Sequence, residues 1–243
     1  EVVRAAHDVG LRIALLRVAI LRGGEGPRES APPAGAISTS AEQFTRETEA
    51  LRVAIERDYP EDEAWLGVAP ESLATVPPEA FKVIAAYARA QRLRLHTHAA
   101  SSAGDVAACV AEHGRTPVAL LAELGLVDKR FTAVDARHLT EEEIRLLGTA
   151  RAAACVTPGA PAPVEGLLAA GAGVAAGMDA HAPASPLFLA RELPVADAAD
   201  DNAAVAPAAG GRRGGAQQPR PILVSRPLRS LLTPEQVRVL GFG

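Results

Sequence analysis

The sequence predicts an α/β protein built on a parallel β-sheet, and three observations support this fold class. Short apolar segments alternate with segments of helical periodicity, and only crossover helices connect parallel neighbours in a sheet. Two apolar segments end on side chains that can bind metal, one at His98 and the other at Asp179 and His181. Hydrophobic residues make up 48% of the chain but aromatic residues only 3%, so small aliphatic side chains must build the core.

Six apolar segments have the length and the flanking turn residues of strands. They lie at residues 11–21, 65–69, 93–99, 131–134, 152–156 and 173–177. His98 lies near the end of the third segment and Asp179 follows the sixth, so we expect both at the edge where the carboxyl ends of parallel strands meet. A neutral imidazole and a carboxylate at that edge can share one divalent ion.

Seven segments show helical spacing of apolar residues or the signals that start a helix. They lie at residues 1–9, 41–57, 77–91, 105–113, 116–124, 140–147 and 164–170. We expect Gly10 to end the first helix and Ser40 to cap the second, while Pro77 and Pro78 open the third. Thr140 and Glu143 form a capping-box pattern, and we expect Gly148 to end that helix.

The remaining segments predict the domain organisation. Residues 23–35, rich in Gly, Pro and Ser, predict a loop of a length usually kept for function or disorder. The composition changes to Ala, Gly, Pro and Arg near residue 195. The expected units are a domain over 1–194, a low-complexity linker over 195–221 and a tail with one short helix over 222–243.

The composition excludes several classes of partner. The formal net charge is −4 and the isoelectric point about 5.9, so we expect no nucleic-acid partner. Cys109 and Cys155 are the two cysteines and form no Cys-x-x-Cys pattern, which favours a reducing, cytoplasmic location. These residues contain no apolar run of about 18 residues and no charged segment followed by an apolar core, so we expect no membrane span, no signal peptide and no membrane partner.

Six short motifs occur in a characteristic order and spacing over residues 1–192. They are Ala5–Arg12 (AAHDVGLR), Leu66–Pro70 (LGVAP), Leu95–Ala99 (LHTHA), Gly114–Val118 (GRTPV), Arg137–Thr140 (RHLT) and Gly177–His181 (GMDAH). Together they resemble the amidohydrolase superfamily, and most closely its formimidoylglutamate deiminases and related triazine- and guanine-type aminohydrolases. The resemblance implies a (β/α)₈ TIM barrel of the metal-dependent hydrolase type. We expect this barrel to be incomplete here, with about six strands, because strands 1 and 2 would precede Glu1.

The resemblance also implies a divalent metal, usually zinc, at the carboxyl ends of the strands. In such enzymes a metal-bound water attacks an amidine or imine carbon, and ammonia leaves. His98 matches the family's strand-5 metal ligand. Asp179 matches the strand-8 Asp, which touches the metal and takes the proton of the water. The implied partner is a small-molecule amidine or imine, and we also consider a homodimer.

Several positions depart from the family pattern. The His-x-His pair of strand 1 has no counterpart, since we expect the chain to begin just before strand 3. Ser101 stands where the family has a proton-shuttling Glu, and Asp135 stands where it has a His that stabilises the attacked group. Glu71 and Ala74 replace the His and Arg that bind the substrate carboxylate in the deiminase, so an acidic substrate would meet the wrong charge.

Three further histidines lie within these motifs. We expect His138 and His181 at the rim of the barrel mouth, close to a substrate. His96 and His98 alternate along a strand, so we expect them to point to opposite faces, with at most one facing the mouth and with His96 packed rather than bound to metal.

Two function hypotheses follow from the matches and the departures. The first is a metal-dependent aminohydrolase that hydrolyses a C–N bond and needs further metal ligands from an upstream segment. The second is a catalytically inactive, degenerate relative that acts as a binding or structural module. It explains the simultaneous loss of several functional side chains, and it implies that these 243 residues alone do not catalyse the reaction. A nucleotide-binding doubly wound sheet is disfavoured, because no glycine fingerprint follows a strand.

Overall fold

A computed structural model describes residues 1–22, 38, 40–156 and 162–177 of the chain. Six strands and seven helices make up this part of the chain, and two successive helices lie between the third and fourth strands. The strands are β1 (Ile13–Ala19), β2 (Ala64–Pro70), β3 (Leu95–His98), β4 (Phe131–Val134), β5 (Ala153–Val156) and β6 (Gly173–Ala176). The helices are α1 (Val2–Asp8), α2 (Ala41–Asp58), α3 (Pro78–Ala90), α4 (Ala103–His113), α5 (Pro117–Glu123), α6 (Glu141–Thr149) and α7 (Val164–Ala169).

The six strands form one parallel sheet in the order β1-β2-β3-β4-β5-β6. Each strand therefore pairs with its neighbour in sequence, and every connection that the structure describes in full between two strands contains at least one helix. Within the described residues the sheet ends at β1 on one side and at β6 on the other. This arrangement confirms the predicted α/β class with its six strands, and consecutive parallel pairing is the topology of a (β/α)₈ barrel.

Alternate strand residues join one buried cluster with the helices, so the intervening residues lie on the opposite face of the sheet. The strands contribute Val68, Leu95, Phe131, Ala133 and Ala154 to this cluster. The helices contribute Phe44, Phe81, Ile84, Leu121 and Leu147. Small aliphatic side chains dominate the strands as predicted, and three phenylalanines supply additional bulk. By the same alternation, the opposite face carries Gly67, His96, His98, Thr132 and Cys155.

The predicted helix caps are present. The Oγ of Ser40 accepts a hydrogen bond from Gln43 N at 3.1 Å, as an N-cap does. Thr140 and Glu143 form the predicted capping box at the start of α6. The buried carboxylate of Glu143 also accepts a hydrogen bond from Val118 N at 2.9 Å. One side chain therefore caps its own helix and the start of α5.

Gly148 does not end α6, which corrects the sequence prediction. The helix continues to Thr149, and a Cβ on Gly148 would overlap the carbonyl oxygen of Ala170. The glycine is needed because the turn after α7 packs directly against the backbone of α6. Periodicity within one helix cannot reveal such a contact, since the partner lies elsewhere in the sequence.

Some predictions concern residues outside the described ranges. These are the loop at 23–35, the linker at 195–221 and the tail at 222–243, and they stay predictions together with the domain boundary at 194. None of the helices in the described part of the chain is long and apolar enough to span a lipid bilayer.

Candidate active site

The first residues after β2 and β4 and the last residue of β3 lie at one edge of the sheet. Glu71 follows β2, His98 ends β3, and Asp135 follows β4. His98 lies opposite Val134 in the β3–β4 register, so Asp135 comes one residue beyond the partner of His98. The structure thus brings three of the predicted site residues to the carboxyl ends of adjacent strands, where α/β enzymes place their chemistry.

The peptide of Glu71 joins the ends of three strands. Its N–H donates to the carbonyl oxygen of Ala19 at the end of β1, at 2.9 Å. Its carbonyl oxygen accepts from the N–H of His98 at 2.8 Å and from the Oγ1 of the buried Thr97 at 3.2 Å. The backbone position of His98 is therefore fixed by direct hydrogen bonds to Glu71.

The side chain of Glu71 is fixed by the turn that follows β2. Its Oε2 accepts hydrogen bonds from Ser72 Oγ and Thr75 Oγ1, both at 2.6 Å. The turn is closed by a hydrogen bond from Val76 N to Ser72 O at 2.9 Å. The family pattern marks Glu71 as a departure but does not indicate these two hydroxyl donors. A Glu-Ser-x-x-Thr pattern at a strand end is the signal that points to them.

His96 and His98 differ in depth rather than in the face that they occupy, which corrects the sequence expectation. Residues two apart on a strand share a face, so both imidazoles lie on the side opposite the helices. The imidazole of His98 is exposed, whereas burial and the nearby charge of Arg94 lower the pKa of His96 to about 4. His96 therefore stays neutral and packed at neutral pH, as expected, and His98 is the histidine at the open edge.

Asp135 is part of an ion pair at a left-handed backbone position. Its φ is 54°, a conformation that Asp, Asn and His tolerate better than other residues with a side chain. Arg137 Nη2 donates to Asp135 Oδ2 at 2.6 Å, and the two side chains are 35% and 16% exposed, respectively. Burial, followed by the charge of Asp135, raises the pKa of the Cys155 thiol to about 11. The thiol is therefore protonated and a poor nucleophile.

Ser101 and His138 lie in loops that are joined by their backbones. His138 N donates to the carbonyl oxygen of Ala100 at 2.9 Å, and Ala100 has a φ of 60°. Within the described residues, the buried Oγ of Ser101 has no hydrogen-bond partner. A serine hydroxyl is neither an effective acid nor an effective base at neutral pH, so Ser101 does not replace the proton-shuttling glutamate of the family pattern.

The last described residues lead towards Asp179. Gly177 N donates to Val156 O at 3.0 Å, so the chain stays against β5 after β6 ends. A Cβ on Gly177 would lie 2.5 Å from Cys155 Sγ, which explains the glycine at this position. Asp179 and His181 lie outside the described residues, and their assignment to the site stays a prediction.

The described side chains at this edge include His98 as a possible metal ligand. Among the described residues, no three His, Cys, Asp or Glu side chains come together as a metal site. The ring of His98 fits as a nitrogen ligand, because it is exposed and no described residue hydrogen-bonds to it. Asp135 fits less well because its carboxylate binds Arg137, and the protonated Cys155 does not fit. A complete metal site needs donors beyond the described residues.

Comparisons with known proteins agree with the topology. A model of the amidohydrolase family matches residues 1–209. The chain is 27% identical over 158 residues to 5'-deoxyadenosine deaminase from Methanospirillum hungatei, which covers 65% of this chain and 32% of that protein. It is 37% identical over 117 residues to 5-methylthioadenosine/S-adenosylhomocysteine deaminase from Moorella thermoacetica, which covers 45% of this chain and 27% of that protein.

A solved structure shows the same fold. An adenosine deaminase from Xanthomonas campestris with bound zinc aligns with a TM-score of 0.65 and 26% identity, over 78% of this chain and 42% of that chain. The chain spans about a third of the length of the curated relatives and about two fifths of this structure. The matches therefore concern the sheet and its helices more directly than any complete active site.

Proposed function

Because the chain belongs to the amidohydrolase family, we propose that it acts as a metal-dependent hydrolase that releases ammonia from the carbon of an N=C–NH₂ group. The observation that carries the proposal is the position of His98, exposed at the end of β3 and tied by its backbone to the end of β2. The names of the relatives, which are deaminases, support hydrolytic removal of an amino group.

The substrate class follows from a chemical feature that two groups of compounds share. The amino-bearing carbon of an aminopurine nucleoside, such as those in the names of the relatives, is an amidine carbon within a ring. The acyclic amidines expected from the sequence resemblance carry the same N=C–NH₂ unit. A neutral or cationic compound with this unit is therefore the proposed substrate.

In this proposal His98 and Asp179 bind the metal, which is zinc or another divalent ion. When bound, such an ion supplies Lewis acidity and lowers the pKa of a coordinated water. Asp179 accepts a proton, and His138 and His181 stand near the substrate. Ser101 and Asp135 cannot supply the glutamate and histidine functions of the family pattern, so we expect slow turnover. The cytoplasmic location and the homodimer stay predictions.

The experiment is an assay for ammonia release by the full chain in the presence of zinc. The candidate substrates are 5'-deoxyadenosine and S-adenosylhomocysteine, the acidic N-formimidoylglutamate serves as a compound that we expect to react poorly, and the comparison is with Asp179→Asn. We expect ammonia from at least one substrate and none from the variant, which keeps the shape of the aspartate. Equal release by both proteins excludes Asp179 as the proton acceptor.

Absence of release from every substrate, together with absence of bound zinc, favours the alternative of an inactive binding or structural module. The ion pair of Asp135 with Arg137 is the observation that supports this alternative, because a paired carboxylate replaces a histidine at the site.

A further inference from the structure

We propose that Glu71 is a specificity-determining residue that binds a cationic N–H donor of the substrate, such as an amidinium group, and excludes carboxylates. This inference rests on the proposed function only in taking the strand ends near His98 as the substrate side. It names the charge of the substrate that the site selects.

The first observation is that only one oxygen of the Glu71 carboxylate is used. Oε2 accepts both hydroxyl hydrogen bonds, from Ser72 and Thr75. Within the described part of the chain, Oε1 accepts none. A carboxylate has acceptor sites for about four hydrogen bonds, so half of this group is available to a ligand.

The second observation is that the charge of Glu71 is not balanced. Asp135, the carboxylate that follows β4, binds Arg137, and Glu112 in α4 binds Arg22. Arg22 also donates to the carbonyl oxygens of Leu73 and Ala74, which belong to the same turn as Glu71. No described cation lies within ion-pair distance of the Glu71 carboxylate itself. Partial burial of a carboxylate without a counter-ion costs free energy, and a bound cation would offset that cost.

The third observation is that the carboxylate is held in one position before a ligand arrives. The two hydroxyl donors fix its side chain, and the hydrogen bonds to Ala19 and His98 fix its backbone. Preorganisation of this kind lowers the entropic cost of binding. Charge-assisted hydrogen bonds from an amidinium to Oε1 are among the stronger ones that a protein makes. A substrate carboxylate at the same place would meet repulsion.

The test uses three small probes of nearly identical shape and different charge: acetamidinium, acetamide and acetate. Each is titrated at constant ionic strength into the ¹⁵N-labelled full chain without metal, and amide shifts are followed by NMR. We expect saturable shifts at Glu71, Ser72 and Thr75 with acetamidinium, binding about tenfold weaker with acetamide, and none with acetate.

Two variants complete the test. Glu71→Gln keeps the shape and removes the charge, and we expect it to weaken acetamidinium binding about tenfold. Glu79→Gln removes a carboxylate from α3 that is 83% exposed, and we expect unchanged binding. Acetate binding at the same amides, or full acetamidinium affinity in Glu71→Gln, would overturn the proposal.

The wild-type comparison of the three probes decides the question even if Glu71→Gln does not fold. No metal or turnover is involved in the titration. The chain can therefore pass this test and release no ammonia, or fail it and remain an active deaminase, and the two outcomes are distinguishable.

Discussion

The carboxylate of Asp135 accepts a hydrogen bond from the guanidinium of Arg137 at 2.6 Å, directly after β4 and one residue past the strand partner of His98. At this position, where the family pattern has a histidine, the protein has a carboxylate whose charge is balanced by an arginine. His98 is exposed at this edge, and it is the proposed metal ligand among the described residues there. The chemistry of the site therefore depends on what His98 binds.

The left-handed backbone of Asp135 limits which residues can replace it. We expect the free energies of unfolding of Asp135→His and Asp135→Asn to agree within about 0.5 kcal/mol, because Asp, Asn and His all tolerate a positive φ. We expect Asp135→Val to cost about 1–2 kcal/mol more, since a β-branched side chain is strained there. Urea unfolding followed by circular dichroism measures these differences. A valine variant as stable as the histidine variant would contradict the backbone argument.

Gly177 and Cys155 are expected to be coupled in stability. Gly177→Ala places a Cβ 2.5 Å from Cys155 Sγ and should cost about 1–3 kcal/mol through overpacking. Cys155→Ala removes the sulfur, so the double variant should recover much of the loss caused by Gly177→Ala. A double-mutant cycle in urea measures the coupling. Strictly additive costs would show that β5 and β6 do not approach each other as the structure describes.

Glu143 is expected to stabilise two helices at once. Glu143→Gln turns one acceptor oxygen into a donor that faces the N–H of Val118 or Thr140, and a buried mismatch costs about 1–3 kcal/mol. Glu141→Gln is the matched control in the same helical turn, because it is exposed and should cost below about 1 kcal/mol. The free energy of unfolding in urea decides between them, and equal costs would exclude the double cap.

Glu49 is expected to contribute to the acid sensitivity of the fold. Hydrogen bonds from Arg52 and then Tyr87 lower the pKa of Glu49 from 4.5 to about 2. The unfolded chain therefore takes up this proton first, and stability falls as the pH drops from about 4.5 towards 2. Because the side chain is 39% exposed, water screens much of the effect.

Urea unfolding between pH 2 and 6 measures this contribution. We expect a flatter pH profile for Glu49→Gln than for the wild type. The control is Glu56→Gln, which removes another carboxylate that binds Arg52. Tyr87 hydrogen-bonds to Glu49 and not to Glu56, and we expect this variant to keep the wild-type slope. Identical slopes in the two variants would exclude Glu49 as the source.

The parts of the fold that depend on local pattern could be predicted from the sequence, and those that depend on distant contacts could not. Apolar runs and capping residues located all six strands and the start of α6. The role of Gly148 does not follow from local pattern, because its packing partner, Ala170, follows the next helix. The shared face of His96 and His98 follows from strand geometry, but their different depth depends on the surrounding packing.

In the candidate site, too, some features follow from local sequence and others from tertiary contacts. His98 could be identified from its motif, and the structure shows it exposed at the strand end. The hydroxyl bonds of Glu71 and the left-handed turn of Asp135 are tertiary and backbone features that residue types alone do not specify.

The most direct test of the account is the stoichiometry and affinity of zinc binding by the full chain. Both are measured by titration calorimetry after a chelator has removed any bound metal. We expect about one zinc per chain, and affinity reduced at least about tenfold in both His98→Ala and Asp179→Asn. His7→Ala, a change at an exposed histidine in α1, should leave the affinity unchanged. Wild-type zinc affinity in the His98 variant would contradict the claim that the strand ends form a metal-dependent site.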